Sequence, residues 1–366
     1  MNRGPRGLLG VALALGLGAI GLSSVLSARR FAADRAQPQA RSSAGPALFG
    51  PPAAAAPSVP PLLDVEAKAL PEQREALLAN MKNQLGLGDA ELSALRAIFE
   101  RSRYLGQGNP EITRHPMSRA ECLQIRARAP DLSPGDRRCG SPNMVPLYDP
   151  GTQTAEQATA CIDQYEFPNI ACEYPVVWVK AHEAVEICRA IGKRICDAHE
   201  WEGACAGALR ASELEYAFGE RRLMQEYLHN KQREIVWAYG KLKDHGQCAT
   251  GARKSPKCYT PSWELCGTNT YPAGAFPRCV SPLGVYDQHG NAAEHMNLPL
   301  HPEELASRGG LGETEMKGSW FIFKEAQAHE DDCRWRALAW HATRIDATDS
   351  HRNYHLGFRC CKDVPR

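Results

Sequence analysis

The chain has 366 residues, of which 43% are hydrophobic and 23% are charged, which suits one sizeable globular domain with accessory segments. Its 43 lysines and arginines nearly balance its 42 aspartates and glutamates, so the formal net charge is only +1. Nucleic acids and anionic membranes attract proteins through clustered positive charge. This balance therefore argues against a nucleic-acid partner.

The N-terminus has the layout of an export signal, with Arg3 and Arg6 ahead of an apolar run from Leu8 to Ala28. We interpret residues 1–28 as a signal peptide or, if uncleaved, a signal anchor, since the run could form a marginal transmembrane helix. Either interpretation places the remaining chain in the periplasm or the extracellular space. Membrane contact is expected only through this segment, if it stays uncleaved.

Composition divides the rest of the chain into three segments. Residues 29–62 are rich in Ala, Pro, Ser and Gly and are predicted to be a linker. Residues 63–105 are predicted to form a helical hairpin, in which Asp89 can cap the second helix. Its apolar face is expected to pack on the main domain, with partner binding as the alternative. Residues 106–366, rich in Gly, Pro and Cys, are predicted to form a loop-rich domain.

Two short helices are predicted in this domain, at 183–191 before Gly192 and at about 197–208 with Asp197 as its cap. Residues 212–243 are predicted to add a polar helical insertion. All fourteen cysteines lie between Cys122 and Cys361, and an even count downstream of an export signal predicts disulfides. The absence of any Cys-x-x-Cys pair disfavours structural zinc.

A series of ordered blocks between residues 161 and 361 carries a family resemblance. The blocks are CIDQYEFPN at 161–169, VKAHEA at 179–184, GKRICDAHEWE at 192–202, YAFG at 216–219, PAGAFP at 272–277, GVYDQHGNAAEH at 284–295, KGSW at 317–320 and LGFR at 356–359. In this order they resemble the motifs DxYEVTN, VSWxDA, GKRLPTEAEWE, YPWG, PVGSFP, GVYDMxGNVxEW, RGGSW and GFR of the formylglycine-generating enzyme, or sulfatase-modifying factor, family.

The resemblance implies an α+β fold related to the C-type lectin fold, with much irregular backbone. The motif aromatics Trp201, Tyr286, Trp320 and Phe358 are expected in the core. The motif glycines at positions 284, 290, 318 and 357 are expected in tight turns. As in vertebrate-type members, the resemblance implies the disulfides Cys188–Cys360 and Cys205–Cys333, with Cys196 and Cys361 placed to form a third.

Family enzymes convert a sulfatase cysteine to formylglycine and hold copper(I) with two cysteines shortly after the GGSW motif. Here the family cleft would lie near Ser319 and Trp320, and Ile322 fills the first cysteine position. Cys333 is a candidate for the second position, but Cys205 needs it as a partner. Because copper(I) requires soft thiolate ligands, copper binding is not expected, and no catalytic residue is assigned.

The residues therefore predict a pseudoenzyme, a binding or structural module with a protein or glycan partner of unknown identity. The alternative is a formylglycine-generating or nonheme-metal oxidoreductase. Its metal would use the His/Asp-rich C-terminal loop, with His341 and His355, or a centre at Ser319. A solvated surface loop is the simpler interpretation of that C-terminal segment.

A calcium site is the one cofactor that the resemblance favours. Asn291 and Glu294 lie in the GNxxE turn that supplies calcium ligands in relatives, and their side-chain oxygens are hard ligands of the right type. Hydrogen bonds alone could hold the same turn. His295 stands where the family has Trp, which changes the local packing.

Overall fold

The computed structural model describes residues 61–129, 135–307, 312–337 and 342–364. The predicted signal 1–28 and residues 29–60 of the predicted linker lie outside these ranges. None of the helices within them is long and apolar enough to cross a bilayer.

The predicted helical hairpin is present as α1 (Leu70–Leu85) and α2 (Asp89–Arg101). Helix α1 ends at Gly86, whose φ of 68° lets its N–H donate to the carbonyl of Lys82. The cap of α2 is Gly88 rather than Asp89, which is the first helical residue. The carboxylate of Glu91 accepts from the Gly88 N–H at 2.7 Å.

The α-helices and strands that follow before the insertion are α3 (Arg119–Arg128), β1 (Met144–Leu147), β2 (Ala160–Asp163), α4 (Ala181–Ala190), β3 (Arg194–Ile195) and α5 (Ala198–Ala206). The insertion contains α6 (Arg222–Gln232), and after it come β4 (Ala293–Leu298), β5 (Glu313–Lys317), β6 (Thr343–Arg344), β7 (Leu356–Phe358) and β8 (Cys360–Asp363). Helix α4 begins two residues before the predicted start. Helix α5 is capped as predicted, since the Asp197 carboxylate accepts from the Glu200 N–H at 2.7 Å.

The strands form two four-stranded sheets, and the fold is α+β as predicted. One sheet has the order β1-β2-β8-β3 and is antiparallel. The other has the order β6-β5-β4-β7, in which only β4 and β7 run parallel. The consecutive strands β7 and β8 belong to different sheets, so the last strands of the chain connect the two.

The hairpin packs on the domain through its apolar face, which is the expected arrangement. Met81, Leu95 and Phe99 are buried in one cluster with Ile187 of α4 and Phe358 of β7. Burying side chains of this size stabilises the fold by about 1.5–3 kcal/mol each. The motif aromatics Trp201, Tyr286 and Trp320 are also buried, as expected.

One motif glycine does not lie in a turn. Gly284, Gly290 and Gly318 have positive φ angles, as predicted. Gly357 lies inside β7 instead, and a Cβ there would lie 2.8 Å from the carbonyl oxygen of Val176. A close approach of two backbones requires glycine at this position.

All fourteen cysteines lie within the described ranges, and they form seven disulfides. Cys188–Cys360 and Cys205–Cys333 are the two pairs that the resemblance implies, and Cys196–Cys361 is the third bridge. The other four are Cys122–Cys172, Cys139–Cys161, Cys248–Cys279 and Cys258–Cys266.

Candidate functional site

The KGSW segment, where the family cleft is expected, begins at the last residue of β5 and is buried. The Ser319 hydroxyl accepts from the Gly290 N–H at 2.9 Å and donates to the Asp331 carboxylate at 3.1 Å. Both hydrogen bonds tie Ser319 to neighbouring loops. Ile322 is 5% exposed and packs in an apolar cluster with Phe321 and Phe323. The first family cysteine position is thus a well-packed aliphatic side chain.

The Cys205–Cys333 disulfide lies beside a buried histidine. His289 Nε2 is 3.3 Å from Cys205 Sγ and 3.7 Å from Cys333 Sγ. Nε2 also accepts from the N–H of Ala238 at 3.0 Å. Burial lowers the pKa of His289 to about 4, so the imidazole is neutral at physiological pH.

Cys205, His289 and Cys333 are residue types that bind soft metals, and their ligand atoms lie within 4.8 Å of one another. The two sulfurs are bonded to each other, however, and metals bind thiolates rather than disulfides. The second such trio is Cys196, Glu200 and Cys361, whose sulfurs also form a disulfide. Neither trio fits copper(I) in this oxidation state.

The Asp331 carboxylate contacts further polar side chains in addition to Ser319. The Trp237 indole N–H donates to its carboxylate at 3.2 Å, and Lys243 Nζ lies 3.3 Å away. Burial raises the pKa of Asp331, but His289, Trp237 and Lys243 outweigh burial and the net shift is downward. His245 Nε2 is 4.0 Å from the same carboxylate. An ionised Asp331 thus stands between Ser319 and His245.

The structure brings only part of the predicted C-terminal loop to this place. The His355 ring stacks on Trp320 with centroids 4.5 Å apart. Asp346 pairs with Arg344 at 2.6 Å, and both side chains are more than two-thirds exposed. His341 lies outside the described residues. This loop is therefore partly a solvated surface segment.

The side chains of the GNxxE turn are bonded within the protein. Asn291 Oδ1 accepts from the Tyr271 N–H at 2.8 Å, and its Nδ2 donates to Glu166 at 2.7 Å. Arg359 donates to both oxygens of the Glu294 carboxylate, at 2.5 and 2.7 Å. A calcium ion at this turn would have to replace these bonds. The geometry favours the alternative of a hydrogen-bonded turn, and calcium binding stays a prediction.

Arg359 is a structural centre that the sequence analysis did not identify. Its fully buried guanidinium lies between β7 and β8 and donates to the carbonyls of Asp163 and Tyr286 as well as to Glu294. Glu166 and Asp287 are buried nearby, and burial raises the pKa of both, that of Asp287 to about 6. The acidic members of this cluster lie in the CIDQYEFPN and GVYDQHGNAAEH blocks and its arginine in the LGFR block, but no single block reveals that they meet.

These features define a disulfide-stapled α+β domain of the sulfatase-modifying-factor type, in which the arginine of the LGFR block pairs with the glutamate of the GNxxE turn. The family model described as the sulfatase-modifying factor enzyme 1-like domain matches residues 151–364. The chain therefore belongs to this family, whose fold is C-type lectin-like, and the resemblance is confirmed.

Among solved structures, the crystal structure of CarF is similar at 14% sequence identity, covering 61% of this chain and 97% of that chain with a TM-score of 0.34. No curated protein matches the chain.

Proposed function

We propose that the protein is exported and that its family domain acts as a binding or structural module without copper-dependent oxidation. The observation that carries this proposal is that every cysteine is paired in a disulfide, including Cys333. With Ile322 in the first cysteine position, the KGSW region offers no thiolate to copper(I). Seven disulfides also fit an oxidising compartment, the periplasm or the extracellular space.

Exposed apolar side chains support a binding role. Within the insertion 212–243, Leu223, Tyr227 and Leu242 are 67%, 58% and 85% exposed. Helix α6 buries Gln225 and Glu226 instead, so its polar side faces the domain and its apolar side faces solvent. Clustered exposed apolar residues are typical of surfaces that contact another molecule. Membrane attachment through residues 1–28 belongs to the same proposal only if the segment is not cleaved.

The test is an oxidation assay with copper, oxygen and a cysteine-bearing sulfatase peptide, read by mass spectrometry. We expect no formylglycine product, with an active family member assayed in parallel to validate the conditions. Conversion of the peptide by this protein at a comparable rate would overturn the proposal. Metal analysis of the same preparation tests the calcium prediction. Binding by Asn291 and Glu294 requires about one retained calcium ion per chain.

A metal-dependent oxidase with a centre that lacks cysteine is the second candidate. The observation that favours it is the cluster of Ser319, Asp331, His245 and His289, which supplies nitrogen and oxygen donors in one buried region. Stoichiometric iron in purified protein that is lost in an Asp331→Asn variant would favour this candidate. Iron absent from protein expressed with added iron would count against it.

A further inference from the structure

A groove of about 880 Å³ opens between residues 238–247 and residues 277–282. Its apolar surface comes from six side chains: Ala238, Tyr239, Leu242, Pro277, Val280 and Pro282. The groove does not include the KGSW segment or the GNxxE turn. Its volume is in the range that accommodates a ligand of several hundred daltons or a short peptide segment.

The two walls of the groove are held by covalent and backbone bonds. The Cys248–Cys279 disulfide joins the end of the first wall to the second. Trp237 and Gly240 exchange backbone hydrogen bonds of 2.8 and 2.9 Å at the start of the first wall. The Asp244 carboxylate accepts from the Gly246 N–H and from Gln247, which fixes the turn that follows. A groove fixed in this way loses little conformational entropy when a ligand binds.

The charge of the groove is positive. Among its lining residues only Lys241, Asp244 and Arg278 are charged. The Asp244 carboxylate is bonded to its own turn, whereas Lys241 and Arg278 are exposed and form no ion pair within the described part of the chain. Arg278 also attracts the nearby Asp244 carboxylate, so two exposed cations stand against one carboxylate and the groove keeps a net positive charge. This charge beside an apolar floor complements a ligand that carries both carboxylates and apolar groups.

We propose that this groove binds an extended, acidic peptide segment in which apolar and carboxylate side chains alternate. The proposal rests on the binding role proposed above and assigns that role a surface and a partner class. In an extended strand, alternate side chains point to opposite faces, so apolar ones can contact Val280 and Pro282 while the carboxylates lie on the open side. Lys241 and Arg278 are exposed there and long enough to approach them. Arg278 suits a carboxylate because a guanidinium can donate two parallel hydrogen bonds to it.

A peptide fits these observations better than a sulfated glycan. Sulfated glycans are bound chiefly through dense positive charge, and this groove supplies two cations. Contact with the six apolar side chains of the groove would add little binding free energy for a sugar that presents mainly hydroxyl and sulfate groups.

Fluorescence anisotropy of the full exported chain tests the proposal with three labelled nine-residue peptides. One alternates Leu and Asp, one alternates Leu and Lys, and one alternates Ser and Asp. We expect saturable binding of the Leu/Asp peptide alone, weakened about tenfold or more by Arg278→Glu and by Leu242→Asp. Lys254→Glu makes the same charge change at an exposed lysine outside the groove and should leave the affinity unchanged.

Each contrary result has a defined meaning. Absence of saturable Leu/Asp binding, or equal weakening by Lys254→Glu, would overturn the groove proposal. Binding of a sulfated oligosaccharide that Arg278→Glu abolishes, without peptide binding, would overturn it in favour of a glycan site. None of these outcomes affects the oxidation assay, which tests the noncatalytic role separately. Intact disulfides in every variant, checked by mass spectrometry, exclude misfolding as the cause.

Discussion

The core around the terminal strands and helix α6 of the insertion 212–243 are stabilised by different interactions. Three disulfides connect residues 188–205 to Cys333, Cys360 and Cys361, and apolar side chains fill the space between them. The insertion has no cysteine. Its Val236 and Ala238 pack in the core, but beneath α6 it is held by polar contacts. Asn230, for example, exchanges two hydrogen bonds of 2.9 Å with the backbone of Arg336. Helix α6 is thus attached through its polar side, and its apolar side is exposed.

The largest expected effect is loss of the two long-range disulfides that hold β8. Replacing Cys188, Cys196, Cys360 and Cys361 with Ala opens bridges that span 172 and 165 residues. A chain-entropy estimate values the two together at about 6 kcal/mol, because they close nearly the same loop. The matched control removes Cys258–Cys266, which spans 8 residues and has an expected value of about 2.5 kcal/mol. Urea unfolding measures both. Equal losses would show that loop closure does not account for the stability of the core.

The second largest effect concerns the buried charge between the sheets. Arg359→Met leaves the Glu294 carboxylate without its partner and should lower the free energy of unfolding by about 3–5 kcal/mol. Arg359→Met combined with Glu294→Gln should recover part of this loss, because the Glu294 charge is removed together with its partner. If the double variant were as unstable as the sum of the single variants, the ion pair would not be the cause.

The free energy of unfolding should depend on pH through Glu315, a buried carboxyl in the polar region beneath the insertion. Burial raises the pKa of Glu315 on β5 to about 7, although Lys317 opposes the shift. The raised pKa favours folding below the unfolded value near 4.5, and this contribution is lost as the pH rises through about 7. Glu315→Gln should therefore gain stability relative to the native chain between pH 5 and pH 8, by up to about 3 kcal/mol. A difference that is constant with pH would contradict this assignment.

The smallest effects compare the two sides of the insertion helix. Asn230→Ala removes two hydrogen bonds to Arg336 and should cost about 1–3 kcal/mol. Leu223→Ser changes a side chain that is 67% exposed and should alter stability by less than about 0.5 kcal/mol. Thermal unfolding of both variants measures the contrast. A larger loss at Leu223 would mean that its side chain is covered in the folded protein.

Local sequence signals predicted the core better than the insertion. Helix ends could be located from the residues alone, because the signals at Gly86, Asp197 and Gly192 lie next to the helices that they end or cap. Gly357 was wrongly placed in a turn because its constraint comes from Val176, far away in sequence. The orientation of α6 is likewise set by distant partners such as Asp332 and Arg336.

The candidate site was predictable only through its motif blocks. Ile322 could be identified as a missing ligand because the KGSW block fixes its position in the chain. The contact of His289 with Cys205 and the groove beside Arg278 bring together residues from separate loops. Neither has a periodicity or spacing that a single sequence reveals.

The most direct test of the central claim, that this family domain has no thiol site for copper, is alkylation mass spectrometry combined with elemental analysis. The protein would be secreted into an oxidising compartment and purified without reductant. Zero free thiols, a Cys205–Cys333 bridge and no copper are the predicted result. A free, alkylated Cys205 or Cys333 together with stoichiometric copper would contradict the claim.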